Sequence, residues 1–221
     1  NLSYVSSDPS TKERMRRPQE RTDFNQILKK AEEVGLKVIA YAILGMPDQT
    51  IEEMVDTLIY LMGKKVLVGP SIYYPVPGTP LFRRCKEDGI LPSNISQWRS
   101  SALPIETKEF NRLDMVTFLR LARVINVVKG KMDKGELEEG ITWRELYEGL
   151  KDKVKAEVEV EDGVTLWKDL LLMLFEERSF FSLRKIPGNG FSKEKEKTSK
   201  RVLDYFLKSA LGKPILKSRN D

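Results

Sequence analysis

Leu36-Lys37-Val38-Ile39-Ala40-Tyr41-Ala42-Ile43-Leu44-Gly45-Met46-Pro47-Asp48-Gln49-Thr50-Ile51-Glu52-Glu53 decides how the rest of the chain is read. Leu36 to Leu44 is nearly all apolar, with Lys37 as its one charge. A short run of that kind suits a parallel strand buried on both faces. Gly45 to Gln49 makes a turn. Thr50 to Glu53 then opens a helix as a capping box, the Thr50 hydroxyl accepting from the Glu53 N–H while the Glu53 carboxylate reaches back. The helix is predicted to run to Met62, with Val55, Leu58, Ile59 and Met62 facing inward.

The flanking sequence repeats the pattern. Leu2 to Ser6 reads as a strand. A helix capped by Thr22 or Asp23 places Phe24, Ile27, Leu28, Ala31 and Val34 on one face and closes at Gly35. Val66 to Tyr74 is the next strand. Strand, helix, strand, helix, strand with tight connections implies parallel strands and right-handed crossovers, hence an α/β fold. Such folds place ligands at the carboxyl ends of their strands. Those ends are Ser6-Ser7-Asp8, Gly45-Met46-Pro47-Asp48 and Tyr73-Tyr74-Pro75, where Gly45 removes bulk and the amides of the helix after Thr50 can attract an anion.

Beyond Tyr74 the pattern breaks. Pro75-Val76-Pro77-Gly78-Thr79-Pro80 is a rigid loop, followed by a short helix from Leu81 to Asp88 and an irregular stretch from Ile90 to Thr107. A long helix from Phe110 to Lys129 carries Leu113, Val116, Ala122 and Ile125 at core spacing. From Lys131 the chain reads as mostly helical and charged, with helices over Trp143 to Leu150, Thr165 to Glu177 and Lys193 to Leu211. Lys151 to Glu161 alternates Val with Glu, which fits a strand or an exposed helix. Lys213 to Asp221 reads as a frayed basic tail.

The 221 residues include one cysteine, Cys85, and no histidine. Intrachain disulfides, Cys/His zinc sites and Ser-His-Asp or Cys-His catalysis are therefore excluded, and the chain cannot hold an iron–sulfur cluster unaided. Cys85 reads as a buried thiol in a helix, and Glu52 and Glu53 as charges favouring a helix start. The net charge of +5 reflects 38 basic against 33 acidic residues and reads as a solvated surface. Nucleic-acid binding is the alternative that a pI of about 9.1 raises. The Lys193 to Lys200 run lacks interleaved aromatics, however, so a nucleic-acid partner is not expected. No apolar run approaches the ~20 residues that span a bilayer, and a signal peptide is not expected. A cytoplasmic location without membrane contact is expected. Asn1 opens inside a strand, from which an upstream continuation of the natural protein is expected.

Tyr41 to Glu53 resembles the fifth-strand segment of radical S-adenosylmethionine (SAM) enzymes, often written GxIxGxxE. Ile43, Gly45 and Asp48 fall on three of its marked positions, with Tyr41 in place of the first glycine and aspartate in place of glutamate. Ser6-Ser7-Asp8, with Met15-Arg16-Arg17 after it, is similar to the family's fourth strand and following helix. Tyr74 to Leu81 resembles the Pro-Gly-Thr-Pro-Leu that follows the sixth strand. The resemblance covers residues 1–90. It implies the C-terminal half of a partial TIM-like barrel, then a linker and long helix over 91–130 and a mostly helical region over 131–221.

The same resemblance implies SAM contacts from Ser6, Ile43, Gly45, Asp48 and Pro77, with Arg17 pairing the SAM carboxylate and Arg21 as substitute. It further implies a four-iron four-sulfur cluster on a CxxxCxxC motif upstream, in the same polypeptide, together with an external electron donor and a small-molecule substrate. Trp98 to Lys129 is similar to the region after the barrel in members with a cobalamin-binding domain, which makes cobalamin a candidate cofactor of an upstream domain. The missing cysteines motivate the alternative of a non-catalytic remnant or interaction domain descended from such an enzyme.

Overall fold

The computed structural model describes residues 1–15, 21–154, 165–186 and 190–216. The first part is α/β: β1 (Leu2–Val5), α1 (Pro9–Arg14), α2 (Arg21–Glu33), β2 (Ile39–Leu44), α3 (Ile51–Met62) and β3 (Leu67–Ile72). The strands form a three-stranded parallel sheet in the order β1-β2-β3. β2 and β3 pair in unbroken register from Ile39↔Leu67 to Leu44↔Ile72.

Both crossover helices pack on the same face of this sheet. Tyr4 of β1 stacks on Tyr60 of α3 at 4.8 Å between ring centroids and tilts against Phe24 of α2 at 4.6 Å. Ala40, Ala42, Leu44, Val68 and Ile72 are buried beneath them. The opposite face carries Ile39, Tyr41, Ile43 and Leu67, and here the expectation of a strand buried on both faces fails: Tyr41 is 38 % and Leu67 43 % exposed. An apolar run reports only that a strand wants burial, whereas which face receives a helix is decided by elements remote in sequence. Two boundaries also move. Leu36 precedes β2 and is 65 % exposed, and Val34, expected in the core, lies past the end of α2 and is 70 % exposed.

After β3 come α4 (Pro80–Glu87), short 3-10 turns at Ile95–Gln97 and Ser100–Ala102, and α5 (Arg112–Asp133). α5 begins in a true capping box between Asn111 and Asp114. It lies along the outer edge of β3, where the Asn126 amide accepts from the Val68 N–H at 2.8 Å and donates to its C=O at 2.9 Å. Leu113, expected in the core, is 38 % exposed on this helix. Three residues past Asn126, the buried Lys129 ammonium donates at 2.8 Å to the carbonyls of Leu61, Lys64 and Val66, tying the end of α3 and the turn into β3. Burial pulls Lys129 down to about 7, against the opposing charge of Asp133.

The remaining elements are α6 (Trp143–Val154), α7 (Thr165–Glu177), β4 (Phe181–Ile186), β5 (Gly190–Lys195) and α8 (Lys200–Ala210). α8 packs on α3, and Trp143 donates to the Met62 sulfur and packs its ring against Phe175 and Phe206. One hydrophobic core thus runs from Tyr4 to Leu216. Two expectations are corrected. The Lys-rich stretch taken as the start of the last helix is instead β5, paired antiparallel with β4, and the helix begins only at Lys200. Residues 213–216 are anchored where a frayed tail was expected: Ile215 and Leu216 are buried, and the Leu216 N–H reaches the Met62 carbonyl. The Val-Glu alternation lies largely outside the described residues. Among the described residues no helix is long and apolar enough to cross a membrane.

Candidate functional site

The carboxyl ends of β1 and β2 meet the N-terminal half of α3 in a polar cluster. β1 ends in a tight turn at Val5, whose φ of 70° is unusual for a β-branched residue, closed by the Ser6 N–H to the Tyr4 carbonyl at 3.1 Å. That turn throws Ser6 toward α3. Its buried hydroxyl donates to Glu53 at 3.2 Å, lies 3.3 Å from the Thr57 hydroxyl and accepts from the Asp8 N–H at 3.1 Å. Thr57 also accepts from the Ser7 N–H at 2.9 Å and from its hydroxyl at 3.0 Å.

Glu53 is the hub. One of its oxygens accepts from Ser6, from Thr11 of α1 at 2.6 Å and from Gln49 at 3.4 Å. Thr50 caps α3 as expected, accepting from the Glu53 N–H at 3.2 Å, but the Glu53 carboxylate is spent on these side chains, so the reciprocal half of the expected capping box is replaced. Gln49 is buried and stitches the β2–α3 turn, accepting from the Met46 N–H at 3.0 Å and donating to the Ile43 carbonyl at 3.1 Å.

A second set of contacts joins the three loops. Asp48 binds the Arg84 guanidinium of α4 through both oxygens at 2.6 Å and lies 3.8 Å from Arg14 of α1. α4 follows directly on the Pro75 to Thr79 loop and is capped by Thr79, so Asp48 links the turn after β2 to the elements that follow β1 and β3. Asp8 caps α1, and its carboxyl sits below the usual range: burial would raise it, but bonds from Ser10 and Thr11 and the charge of Arg14 outweigh that.

Among the sequence-derived site residues, Ser6, Ile43, Gly45 and Asp48 converge on this rim. Ser6 and Asp48 are engaged with protein partners as described. Ile43 is half-buried on the open sheet face. At Gly45, φ is 84° and an added Cβ would lie 2.9 Å from the Met115 methyl and 3.7 Å from the Phe110 ring, so α5 closes over the space its missing side chain leaves. Pro77 is exposed in its loop. Arg17 lies outside the described residues, as does the side chain of Arg21. Glu53, Gln49, Thr11, Thr57, Arg14 and Arg84 had not been assigned to the site. Their contacts span up to 51 positions of sequence, and the only local signal, Thr50 with Glu53, reads equally well as a cap.

Cys85 is buried in α4 and burial pushes its thiol up, away from reactivity. Among the described residues no cluster of His, Cys, Asp or Glu is placed to hold a metal ion. Comparison with protein-family models and with curated protein sequences finds no match.

Proposed function

We propose that this chain is the C-terminal portion of a radical SAM enzyme, its three parallel strands being the last three of a partial TIM-like barrel. The observation that carries the reading is the winding of the sheet. Its strands follow sequence order, both crossover helices lie on one face, and the opposite face is left open. A barrel wall has that organisation, with the open face as lumen. The three resembling segments all fall at its carboxyl ends, where Asp48 and Glu53 join them.

The residues present fit such a role unequally. Ile43 borders the open face and is suited to an apolar contact with the nucleoside of SAM, whereas Gly45 is buried against Met115 and serves the packing of α5 on the rim. Pro77 and Arg17 complete the contacts as proposed ligand residues. Ser6 and Asp48 serve by fixing the rim loops. One buried cysteine cannot supply a cluster, so the iron–sulfur ligands are assigned to the upstream half of the same polypeptide, which also covers the open face. SAM bound to such a cluster supplies a 5′-deoxyadenosyl radical. An external electron donor, a small-molecule substrate, a cytoplasmic setting and an upstream cobalamin domain belong to the same proposal.

The test is the coding sequence ahead of Asn1. An in-frame CxxxCxxC on the order of 100 residues upstream, three βα units of at least ~30 residues each, is expected. Its absence would leave a non-catalytic domain descended from such an enzyme and end the catalytic assignment. In the full-length protein, Ile43→Lys should lower SAM affinity at least about tenfold by burying an unpaired charge against the nucleoside. Unchanged affinity in equilibrium dialysis would remove Ile43 from the site.

A further inference from the structure

The β4–β5 hairpin lies beside α7, to which Lys193 and Lys195 are ion-paired through Asp169 and Glu177. Its base is fixed: the Ser179 hydroxyl donates to the Glu196 carbonyl at 3.0 Å, Thr198 to the Arg178 carbonyl at 2.8 Å, and Arg120 of α5 to the Lys197 carbonyl at 2.8 Å. From Leu183 to Ile186 every residue of β4 is exposed. Phe191, on β5, is 64 % exposed, with Leu183 at 44 % and Ile186 at 42 %. Side chains alternate between the faces of a strand, and the register pairs Lys185 with Phe191 and Leu183 with Lys193. One face of the ribbon therefore presents an exposed aromatic ring with a lysine directly across from it and another two residues along.

The charge of the chain is concentrated here. From Arg178 to Arg201 there are eight basic and two acidic residues, a net of +6, whereas the other 30 basic and 31 acidic residues leave the rest of the chain at −1. Five of these cations are ion-paired: Arg201 with the buried Asp114 and, at the surface, Arg178 with Asp204, Lys193 with Asp169, Lys195 with Glu177 and Arg184 with Glu194. Exposed pairs of this kind contribute little to stability and exchange readily for another anion.

We infer that this hairpin is a docking arm for single-stranded nucleic acid, a base stacking on Phe191 while Lys185 and Lys193 meet the flanking phosphates. Stacking on an exposed aromatic beside cations that track the backbone is how sequence-tolerant single-strand binding works. A lipid surface is the less suitable partner, because Leu183 and Phe191 lie on one face of the ribbon and Ile186 on the other, with charged residues between them along both strands. The inference is independent of the radical SAM assignment.

The experiment is fluorescence anisotropy of the whole chain with labelled oligouridylate and oligothymidylate of about 20 nucleotides, titrated from about 50 mM salt upward. Binding that weakens with salt is expected. Phe191→Ala should lower affinity on the order of tenfold. Lys185→Glu should lower it and flatten the salt dependence. Lys134→Glu, outside the hairpin at the end of α5, should leave it unchanged. Circular dichroism should show all three variants folded, since each replaces an exposed side chain. Absence of binding at the lowest salt, equal affinity for both hairpin variants and the parent chain, or binding to phosphatidylserine vesicles without binding to either oligonucleotide would each overturn the inference.

Discussion

In β2, Ala40, Ala42 and Leu44 are fully buried beneath α3, and the neighbouring β3 has its outer edge gripped by Asn126. In β4, the last four residues are exposed, and the ribbon is held by its own cross-strand bonds and by ion pairs on α7. The two sheets show how differently strands can be secured within one core. The parallel sheet draws its stability from apolar burial, and its polar groups are ordered at one rim. The hairpin buries little beyond its base, so its sequence is freed from packing to carry exposed aromatic and basic residues.

The largest test of this contrast asks whether the C-terminal helices belong to the sheet's core. Trp143→Ala removes a ring that joins α3, α7 and α8, and should cost about 4 kcal/mol. Urea unfolding followed by near- and far-ultraviolet circular dichroism should still show one transition, and two transitions would separate the regions. Asp114 of α5 is buried and holds Ser199 and Arg201 at the start of α8. Burial alone would raise its pKa, but the bonds from Arg201, Ser199 and the Asn111 N–H hold it below the usual carboxylate value.

Asp114→Ala should therefore cost about 3 kcal/mol near neutral pH, the low end for breaking a buried pair because Arg201 is half exposed. The contribution is present above the ordinary carboxylate pKa and is lost as pH falls through the lower folded value, so the variant and the parent should converge below about pH 4. A gap that persists at low pH would assign the effect to packing instead. Gly45→Ala should cost about 2 kcal/mol, from the left-handed backbone and the displaced Met115. Gly78→Ala, with the same φ of 84° and open space around it, should cost about 1 kcal/mol. Equal losses would mean that α5 yields freely over the rim. The smallest effect is expected in the hairpin, where Phe191→Ala should change stability by less than about 0.5 kcal/mol. A larger loss would show that the ring packs in solution.

The parallel sheet was legible in the sequence because its signals are local. An apolar strand, Thr50 as a cap and Gly35 past a helix each report on a few neighbouring residues, and the parallel pairing followed from the tight connections. The open face was not legible, since Tyr41 and Ala42 look equally apolar and only the placement of α2 and α3 distinguishes them. The rim could be located from Ser6, Gly45 and Asp48, but its hub could not: Glu53 meets Ser6 and Thr11 across 47 and 42 positions. The hairpin was misread for a different reason. Lys and Glu in alternation are good helix formers, and that local propensity gives way here to a six-position antiparallel ladder with Phe181–Ile186.

The grip of Asn126 on Val68 has a colloidal consequence. The edge of a sheet is a template on which further chains can polymerise. By presenting one N–H and one C=O to the same residue, the Asn126 amide imitates the peptide group of a further strand and fills that position in the lattice. The β3 side is thereby blunted three times over: α5 lies along it, Asn126 occupies the Val68 groups, and Pro70 has no N–H to offer a further strand.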